Sequence, residues 1–426
     1  MARGVRGSGG SAGGLEVLYL HQHFSTPAGA TGTRSFAMAR ALAARGHAVT
    51  VACGRYAGAE TGLDGPFRSG RREGRVGAFR VVEFAVSCGN AQGLAARAGA
   101  FARYAARASA LALSRPWDVV VASSTPLSVA LPALAARRAR GTPFVFEIRD
   151  PWPELPRAMR VGSPPLWFAM DRLADAACRN AAAVVALSEG MAETAAAHGA
   201  DPSSVSVVPN GADLDLFGPQ IVPWRPEAAR PHEPLAVYAG AHGRANGLDL
   251  LLRAAALLRA EGAPLRLLLV GEGSEKPRLM AEAAAAGLAN LSFLDPLPKP
   301  RLAALLAGSQ IGVQCLAPVP EFAEWTAPNK LMDYLAAGLP VVAALGGRAA
   351  RLLADGPCGI ATPPGHAPAL AGTLAALAAS PARRAALGAA ARAQAVRRWD
   401  RRLLAARFCG VVEGAAATPG AARVPA

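Results

Sequence analysis

The stretch VYAGAHGRANGLDLLLRAAALL (residues 237–258) joins a short apolar run, a glycine-rich turn and a long Leu/Ala/Arg segment. This pattern predicts a buried strand that turns tightly into a helix. Gly240, Gly243 and Gly247 allow the backbone of the turn to approach a ligand closely. Arg244 lies on the same turn, where a guanidinium can grip a phosphate with two hydrogen bonds. The alternative is an exposed arginine on a loop.

The same alternation of apolar runs and helical segments extends along the chain in both directions. Continuous apolar runs indicate strands covered on both faces, as in a parallel sheet, and the helical segments between them complete right-handed crossovers. We therefore predict an α/β fold of two Rossmann-like, doubly wound parallel-sheet domains facing a central cleft. The predicted strands are 15–20, 47–53, 79–86, 118–123, 143–148, 182–188, 205–209, 235–240, 265–271, 291–295, 311–316, 340–345 and 358–362.

The best candidate for a linker is GPQIVPWRPEAARPHEP (218–234), which is rich in proline and has no apolar period. A first domain over 15–217 and a second over 235–395 follow from it. A cleft between two such domains, at the carboxyl ends of their strands, is the expected ligand site. The remaining expectations are a disordered lead (1–14), a C-terminal helix that packs back on the first domain (396–412) and a disordered tail (413–426).

Composition narrows the functional classes. The net charge of +15 predicts attraction to anionic surfaces, but only three of the 45 basic residues are lysine, which indicates a general arginine bias. No nucleic-acid module is recognisable, so nucleic acid is not expected as a partner. The six cysteines form no CxxC pair and indicate reduced thiols in a cytoplasmic protein. The sequence contains no unbroken apolar run of about 18 residues, so it does not predict a membrane span.

Lys330 and Asp333 lie one turn apart near the start of a predicted helix in PNKLMDYLAAGLPVVAAL (328–345), with Pro328 and Asn329 marking that start. A helix N-terminus and an ammonium together stabilise an anion, and the acid can accept hydrogen bonds from a ribose diol. The alternative is a surface ion pair between the two side chains, worth a few tenths of a kcal/mol.

Four segments resemble retaining, nucleotide-sugar-dependent glycosyltransferases of the family-4 type, which have the two-domain GT-B fold, and the resemblance runs from about residue 15 to about residue 410. They are PNKLMDYLAAGLPVV (328–342), LYLHQHFSTPAGATGTRSFAMARALAARGHAVTV (18–51), VVPNGADLDLF (207–217) and FEIRDPWPELP (146–156). The last is similar to a variant found in enzymes that build bacterial surface polysaccharides such as O-antigen and capsule.

The resemblance implies roles for individual residues. Arg244 and Lys330 match the basic positions that bind the donor diphosphate, and Asp333 matches the second acid of an E-x7-E motif, which holds the ribose. Trp325 stands where the first acid of that motif belongs, and Glu324 is the nearest replacement. The other nucleotide-sugar candidates are Gly29, Gly32, Gly243 and Leu331.

The first domain supplies the remaining candidates. Asp150 is the candidate for orienting a reacting hydroxyl, and its alternative role is a helix N-cap or a loop hydrogen bond. Arg149 and Trp152 are candidates for contacting the acceptor. DLD (213–215), His21 and His23 are not expected to bind a metal. We therefore expect neither a metal nor another cofactor.

The resemblance implies transfer of a hexosyl group, which includes N-acetylated deoxyhexosyl groups, from a nucleotide sugar, typically UDP-linked. The implied acceptor is a glycan or a polyprenyl-diphosphate-linked glycan in surface polysaccharide synthesis. Two alternatives stay open: a nucleotide-sugar 2-epimerase, and a non-catalytic nucleotide-sugar-binding protein. A basic helix over 94–115 and PPLWFAMDRL (164–173) raise the hypothesis of peripheral contact with an anionic membrane.

Overall fold

The structure, a computed structural model, describes residues 13–89, 92–325 and 329–418. Its strands are β1 (Glu16–Leu20), β2 (Ala48–Tyr56), β3 (Arg71–Val76), β4 (Phe79–Cys88), β5 (Val119–Ser123), β6 (Phe144–Ile148), β7 (Ala183–Ala186), β8 (Val205–Val207), β9 (Leu235–Ala239), β10 (Arg266–Val270), β11 (Leu291–Leu294), β12 (Ile311–Cys315), β13 (Val341–Ala344) and β14 (Gly359–Thr362).

The helices cover both faces of the two sheets. They are α1 (Arg34–Ala44), α2 (Leu94–Ser114), α3 (Ala130–Arg140), α4 (Glu154–Ala158), α5 (Pro164–Asn180), α6 (Glu189–Ala197), α7 (Asp249–Ala260), α8 (Lys276–Ala285), α9 (Lys299–Ala307), α10 (Phe322–Trp325), α11 (Asn329–Ala336), α12 (Gly347–Asp355), α13 (Ala367–Ala378), α14 (Pro381–Arg398) and α15 (Arg401–Ala417).

Both sheets are doubly wound, which confirms the predicted fold class. The order in the first is β3-β4-β2-β1-β5-β6-β7-β8, and in the second β11-β10-β9-β12-β13-β14. All the neighbouring pairs are parallel except β3 with β4, which is antiparallel. The strand order reverses between β1 and β5 and between β9 and β12. Ligands of such sheets bind at these points, beyond the carboxyl ends of the strands.

A buried ion pair fixes the carboxyl edge of the first sheet. The guanidinium of Arg34, on α1, lies 2.8 Å from the Glu147 carboxylate on β6, and it also donates to the carbonyls of Val208 and Pro209. Burial alone would raise the pKa of Glu147, but the charges of Arg34 and Arg149 hold that pKa below its usual value. The network therefore ties α1, β6 and the segment after β8 together beneath the cleft.

Helix α15 lies on the first domain although it follows the second in sequence. Leu404, Phe408 and Val412 belong to the same hydrophobic core as Val17 and Val121 of the first sheet. The helix continues to Ala417, so residues 413–417 of the expected tail are helical, because Val412 and Ala415 still bury apolar surface. The expected lead lies outside the described residues up to position 12, as do 419–426 and Pro328.

Candidate active site

A cleft of about 680 Å³ lies between the domains at the carboxyl ends of both sheets. We call it the cleft. Its first-domain wall includes His21, His23, Gly32, Tyr56, Thr125, Arg149 and Asp150. Its second-domain wall includes Gly240, Asn246, Gly271, Gly273, Lys299, Gln314, Trp325, Lys330 and Asp333.

Lys330 points its ammonium into the cleft from the first turn of α11. The Nζ atom donates to Tyr238 Oη at 2.9 Å and to Asn246 Oδ1 at 3.2 Å, and it lies 4.3 Å from the centre of the Tyr238 ring. No carboxylate pairs with it in the part of the chain that the structure describes. Burial lowers the pKa of Lys330 to about 8. A cation held only by neutral groups favours an anionic ligand.

Asp333 does not pair with Lys330, so the surface-pair alternative is wrong. Its Oδ2 accepts a hydrogen bond from Lys299 Nζ at 2.5 Å, and both side chains are nearly buried. Lys299 lies at the start of α9, and its ammonium takes the position beside Asp333 that the alternative gave to Lys330. The pair still lines the cleft. Lys299 neutralises the buried carboxylate and leaves the charge of Lys330 uncompensated.

Glycines bring the loops after β9 and β10 against each other and against Lys330. A Cβ atom at Gly240 would lie 2.5 Å from Lys330 Cε and 2.8 Å from its Nζ. Gly271 has a φ of +147°, and a Cβ there would lie 1.9 Å from the Gly240 carbonyl oxygen. Only glycine fits the backbone contact at position 271, whereas a Cβ at position 240 would displace the end of the Lys330 side chain. The GEG turn (271–273), a weak sign of dinucleotide binding by itself, therefore forms part of the cleft floor.

Asp150 lies on the opposite wall, in the loop after β6. Its Oδ2 accepts a hydrogen bond from Thr125 Oγ1 at 2.6 Å. It caps no helix, because the N-cap position of α4 is Pro153. Of its two alternative roles, Asp150 therefore has the loop hydrogen bond and not the helix cap. The same carboxylate faces the cleft.

Arg149 and His21 form a second polar pair on this wall. Arg149 Nη1 donates to His21 Nε2 at 2.6 Å, so the proton of the neutral ring is on Nδ1, which donates to Ser35 Oγ at 2.8 Å. Burial and, next, the charge of Arg149 lower the pKa of His21 well below its usual value. The guanidinium is thus held in place by a neutral acceptor. Within the described residues it pairs with no carboxylate.

His23 is also neutral, because burial lowers its pKa to about 3. Its ring packs 4.1 Å from the Tyr56 ring, and its buried Nε2 has no hydrogen-bond partner among the described residues. A neutral nitrogen at the cleft wall can accept a hydrogen bond from a ligand hydroxyl. In ranges 13–89, 92–325 and 329–418, no group of three or more His, Cys, Asp or Glu side chains could hold a metal ion.

Several candidates from the sequence lie elsewhere. Gly29 is buried in its own loop, where a Cβ would lie 2.3 Å from Ser25 Oγ, so its size serves loop packing. Trp152 packs against the hydrophobic core and the Phe101 ring. The 3-10 turn Arg244–Asn246 directs Ala245 and Asn246 to the cleft and leaves Arg244 exposed on the loop.

The remaining displaced candidates are Gly243, Leu331 and Glu324. A Cβ at Gly243 would meet nothing within 4 Å, and the residue does not line the cleft. Leu331 is buried on the other face of α11. The carboxylate of Glu324 lies 2.6 Å from Arg348 on α12, because α10 turns Trp325, not Glu324, towards the cleft.

Lysine placement is a signal that sequence reasoning missed. Lys299 and Lys330 line the cleft, and Lys276, the third lysine, pairs with Glu272, which also lines it. In a chain with 45 basic residues, a lysine is a departure from the arginine bias. Lysine supplies a compact charge on a flexible stem, which a narrow site between glycine loops accommodates better than a planar guanidinium.

Comparison with known proteins agrees with this architecture. Residues 29–211 match the Glycosyl transferase 4-like domain, and residues 233–380 match the Glycosyl transferases group 1 domain. A D-inositol 3-phosphate glycosyltransferase from Kribbella flavida is 32% identical over 206 residues, which are 46% of this chain and 47% of that protein. The chain thus spans about half the length of the relatives it matches.

Solved structures share the fold. Sucrose-phosphate synthase from Thermosynechococcus elongatus superimposes with a TM-score of 0.73 at 18% identity and covers 93% of this chain and 98% of its own. HepE from Anabaena, in complex with UDP and glucose, gives a TM-score of 0.66 at 19% identity, covering 94% and 99%. The two matched domains together span most of the chain, in the order and fold described above. The chain therefore belongs to the GT-B glycosyltransferases, with a glycosyl transferase 4-like domain followed by a glycosyl transferases group 1 domain.

Proposed function

We propose that the protein transfers a hexosyl group from a nucleotide sugar, with retention and without a metal, to a hydroxylated anionic acceptor. The observation that carries the proposal is the Lys330 ammonium, which faces the cleft beside a glycine loop and has no acidic partner among the described residues. A diphosphate supplies that missing charge. As the glycosidic bond breaks, negative charge grows on the departing diphosphate, and a fixed cation favours that change.

The second-domain wall fits the rest of a nucleotide. Asp333 provides a carboxylate for a ribose diol, and its Lys299 partner offsets the cost of keeping the acid charged in a buried place. Helix α11 begins at Asn329, so the positive end of its dipole lies at the same wall. UDP is the proposed nucleotide, in keeping with the sequence resemblance and with the UDP complex of HepE.

The first-domain wall fits an acceptor. Asp150 is held by Thr125 and is available to orient an acceptor or donor hydroxyl, while the unpaired nitrogen of His23 can accept a second hydroxyl. Arg149 is the group that favours an anionic acceptor. A polyprenyl-diphosphate-linked glycan of surface polysaccharide synthesis is one such acceptor. A phosphorylated cyclitol is the second candidate, because the matched relative is named for D-inositol 3-phosphate.

A donor and acceptor screen tests this proposal. The full chain is incubated with UDP-hexoses, including N-acetylated and deoxy forms, alone and with polyprenyl-diphosphate glycans or inositol 3-phosphate, and the products are separated by mass and anomeric configuration. Release of UDP only with an acceptor, and with an α-linked product from an α-linked donor, supports the proposal. An isomerised donor would indicate a 2-epimerase, and UDP-sugar binding without any turnover would indicate a non-catalytic protein. Full activity in excess EDTA is expected.

We also propose that the protein works in the cytoplasm with peripheral contact to an anionic membrane. No helix in the described parts of the chain is long and apolar enough to span a bilayer. Leu94 and Arg103 on α2, and Leu166 and Phe168 on α5, are exposed. Arg107 is less available, because it donates to the Ser69 and Gly70 carbonyls. Flotation with anionic liposomes tests the proposal; recovery of all the protein in the soluble fraction contradicts it.

A further inference from the structure

A second cavity of about 680 Å³ lies between the domains, on the other side of α11 from the cleft. We call it the rear groove. Lys330 and Asp333 face the cleft, whereas Leu331 and Met332 of the same helix line the rear groove. Its other walls come from α12, α14, α15 and the first-domain segments around Ser188 and Pro209.

The rear groove carries an excess of positive charge. Its lining residues include four arginines, namely Arg348, Arg351, Arg398 and Arg407. They also include two acids, Glu189 and Asp355. The arginines come from three different helices, so the excess is produced by the tertiary fold and not by one basic helix face.

Most of this charge is available to a ligand. Arg398 is exposed and makes no ion pair with any residue that the structure describes. Among the described residues, Arg407 donates only to the Val207 carbonyl, at 3.3 Å. The nearest acid to Arg351 is Glu324, at 3.7 Å, and the Arg351 side chain is 62% exposed. Arginine forks of this kind bind phosphate with paired hydrogen bonds.

The floor of the rear groove is apolar, so a simple inorganic ion does not fill it. Met332, Leu352, Trp399 and Leu404 line it together with the buried side chain of Gln394. A volume of this size holds a small organic molecule, within the range of about 300–1,000 Å³ usual for such sites. Apolar contacts, one buried amide and several guanidinium groups suit a molecule with a carbon skeleton and a phosphoryl group.

We propose that the rear groove is a second binding site, for a small organic phosphate, and that its occupancy changes the affinity of the cleft for its nucleotide. Arg351, Arg398 and Arg407 bind the phosphoryl group, and the floor around Trp399 holds the carbon skeleton. The binding step is independent of the proposed sugar transfer and goes beyond it.

The coupling to the cleft runs through Arg348. Its guanidinium lies 2.6 Å from Glu193 on α6 of the first domain and 2.6 Å from Glu324 on α10 of the second. A phosphoryl group in the rear groove competes with both acids for this arginine. When Glu324 loses its ion pair with Arg348, its neighbour Trp325, which lines the cleft, is free to move. When Glu193 loses its ion pair with Arg348, a contact between the domains is removed.

The rear groove also lies where the chain returns to the first domain. Ala212 donates its N–H to the Trp399 carbonyl at 2.6 Å, and Arg401 donates its N–H to the Ala212 carbonyl at 3.0 Å. Trp399 therefore joins the segment after β8 to the α14–α15 junction. A ligand in contact with Trp399 and Met332 touches both this crossing and the helix that carries Lys330, so it can favour one domain arrangement over another.

Calorimetric titration of the full chain with glucose 6-phosphate, and separately with AMP, tests the binding. The Lys330→Ala variant removes the uncompensated ammonium of the cleft, and an Arg351→Ala/Arg398→Ala variant removes two cations of the rear groove. An Arg383→Ala/Arg397→Ala variant is the charge-matched control, because both residues are exposed on α14 and neither lines the groove.

Saturable binding of at least one probe is expected for the wild type, Lys330→Ala and the control. The Arg351→Ala/Arg398→Ala variant should bind at least about tenfold more weakly. No saturable binding to the wild type, or a loss confined to Lys330→Ala, would overturn the site. With the probe at saturation, the dissociation constant of UDP should change about fivefold; an unchanged constant would overturn the coupling.

Discussion

Lys330 differs from the other two lysines in what surrounds its ammonium. Lys299 and Lys276 each contact a carboxylate, at 2.5 Å and 2.6 Å, whereas Lys330 contacts a phenol and an amide. A buried cation without an anion is costly to maintain, and a ligand that supplies the anion recovers that cost.

Gly240→Ala should displace the Lys330 ammonium without unfolding the protein. The three atoms nearest to a Cβ at this position are the flexible end of Lys330 and the Tyr238 hydroxyl, so the backbone need not move. We expect UDP to bind about tenfold more weakly, because charge-assisted contacts are lost. Gly243→Ala is the matched control, since a Cβ there meets nothing within 4 Å. Equal loss of UDP affinity in both variants, measured by calorimetry, would contradict this role of Gly240.

The affinity for UDP should fall as the pH rises above about 8. Burial lowers the pKa of Lys330 to about 8 in the free protein. Above that pH the side chain is mostly a neutral amine, which must regain a proton when the diphosphate binds. The dissociation constant should therefore rise about fivefold between pH 8 and 9 and about tenfold per pH unit above that range. Lys330→Ala should lack this rise. A wild-type constant that stays flat to pH 9.5 would exclude the ammonium as the diphosphate ligand.

Sequence reasoning located individual residues less well than segments. Lys330, Asp333, Asp150, Arg149 and Gly32 do line the cleft. The partners that set their chemistry, such as Lys299 for Asp333 and His21 for Arg149, are distant in sequence, so no local spacing reveals them. Their roles in binding and catalysis stay predictions.

At the scale of elements, the loop that carries Asp150 is anchored by a charged histidine. His198, which follows α6, contacts Glu154 at the start of α4 through Nε2 at 2.7 Å and Asp175 on α5 through Nδ1 at 2.8 Å. Both nitrogens can donate only in the protonated ring. These hydrogen bonds raise the pKa of His198 to about 8 from a usual 6.5.

The free energy of unfolding should consequently decrease between pH 6.5 and pH 8.5. A raised pKa in the folded protein means that the stabilisation is complete below the unfolded value and is lost as the pH passes through the folded value. For His198 this amounts to about 2 kcal/mol. Urea unfolding across this pH range measures it, and His198→Gln should remove this part of the slope. Identical slopes in the wild type and the variant would show that His198 is not charged in the fold.

Strands were predictable to within a few residues where both faces are buried. β3 is the exception: its sequence RREGRV alternates exposed and half-buried residues, and it pairs only with β4 at the sheet edge. A strand of this kind contains no apolar run, so it was not detected from the sequence. α10 has four residues and no detectable period.

At the scale of the whole molecule, the C-terminal helix makes the first domain depend on the end of the chain. Phe408 is fully buried against Tyr19, with ring centres 6.0 Å apart. Phe408→Ala should lower the free energy of unfolding of the first domain by about 3–5 kcal/mol, through lost burial and a cavity. Leu403→Ala on the same helix is the control, because Leu403 is 54% exposed. If thermal unfolding showed similar losses of stability in both variants, α15 would not pack on the first domain.

The proposed function requires a cleft whose uncompensated ammonium, that of Lys330, binds a nucleotide diphosphate. Its most direct test is the dissociation constant of UDP for the wild type, Lys330→Ala and Arg253→Ala, the last removing an exposed charge on α7 outside the cleft. We predict binding at least about tenfold weaker for Lys330→Ala and unchanged for Arg253→Ala. Equal UDP affinity in all three proteins would contradict the account.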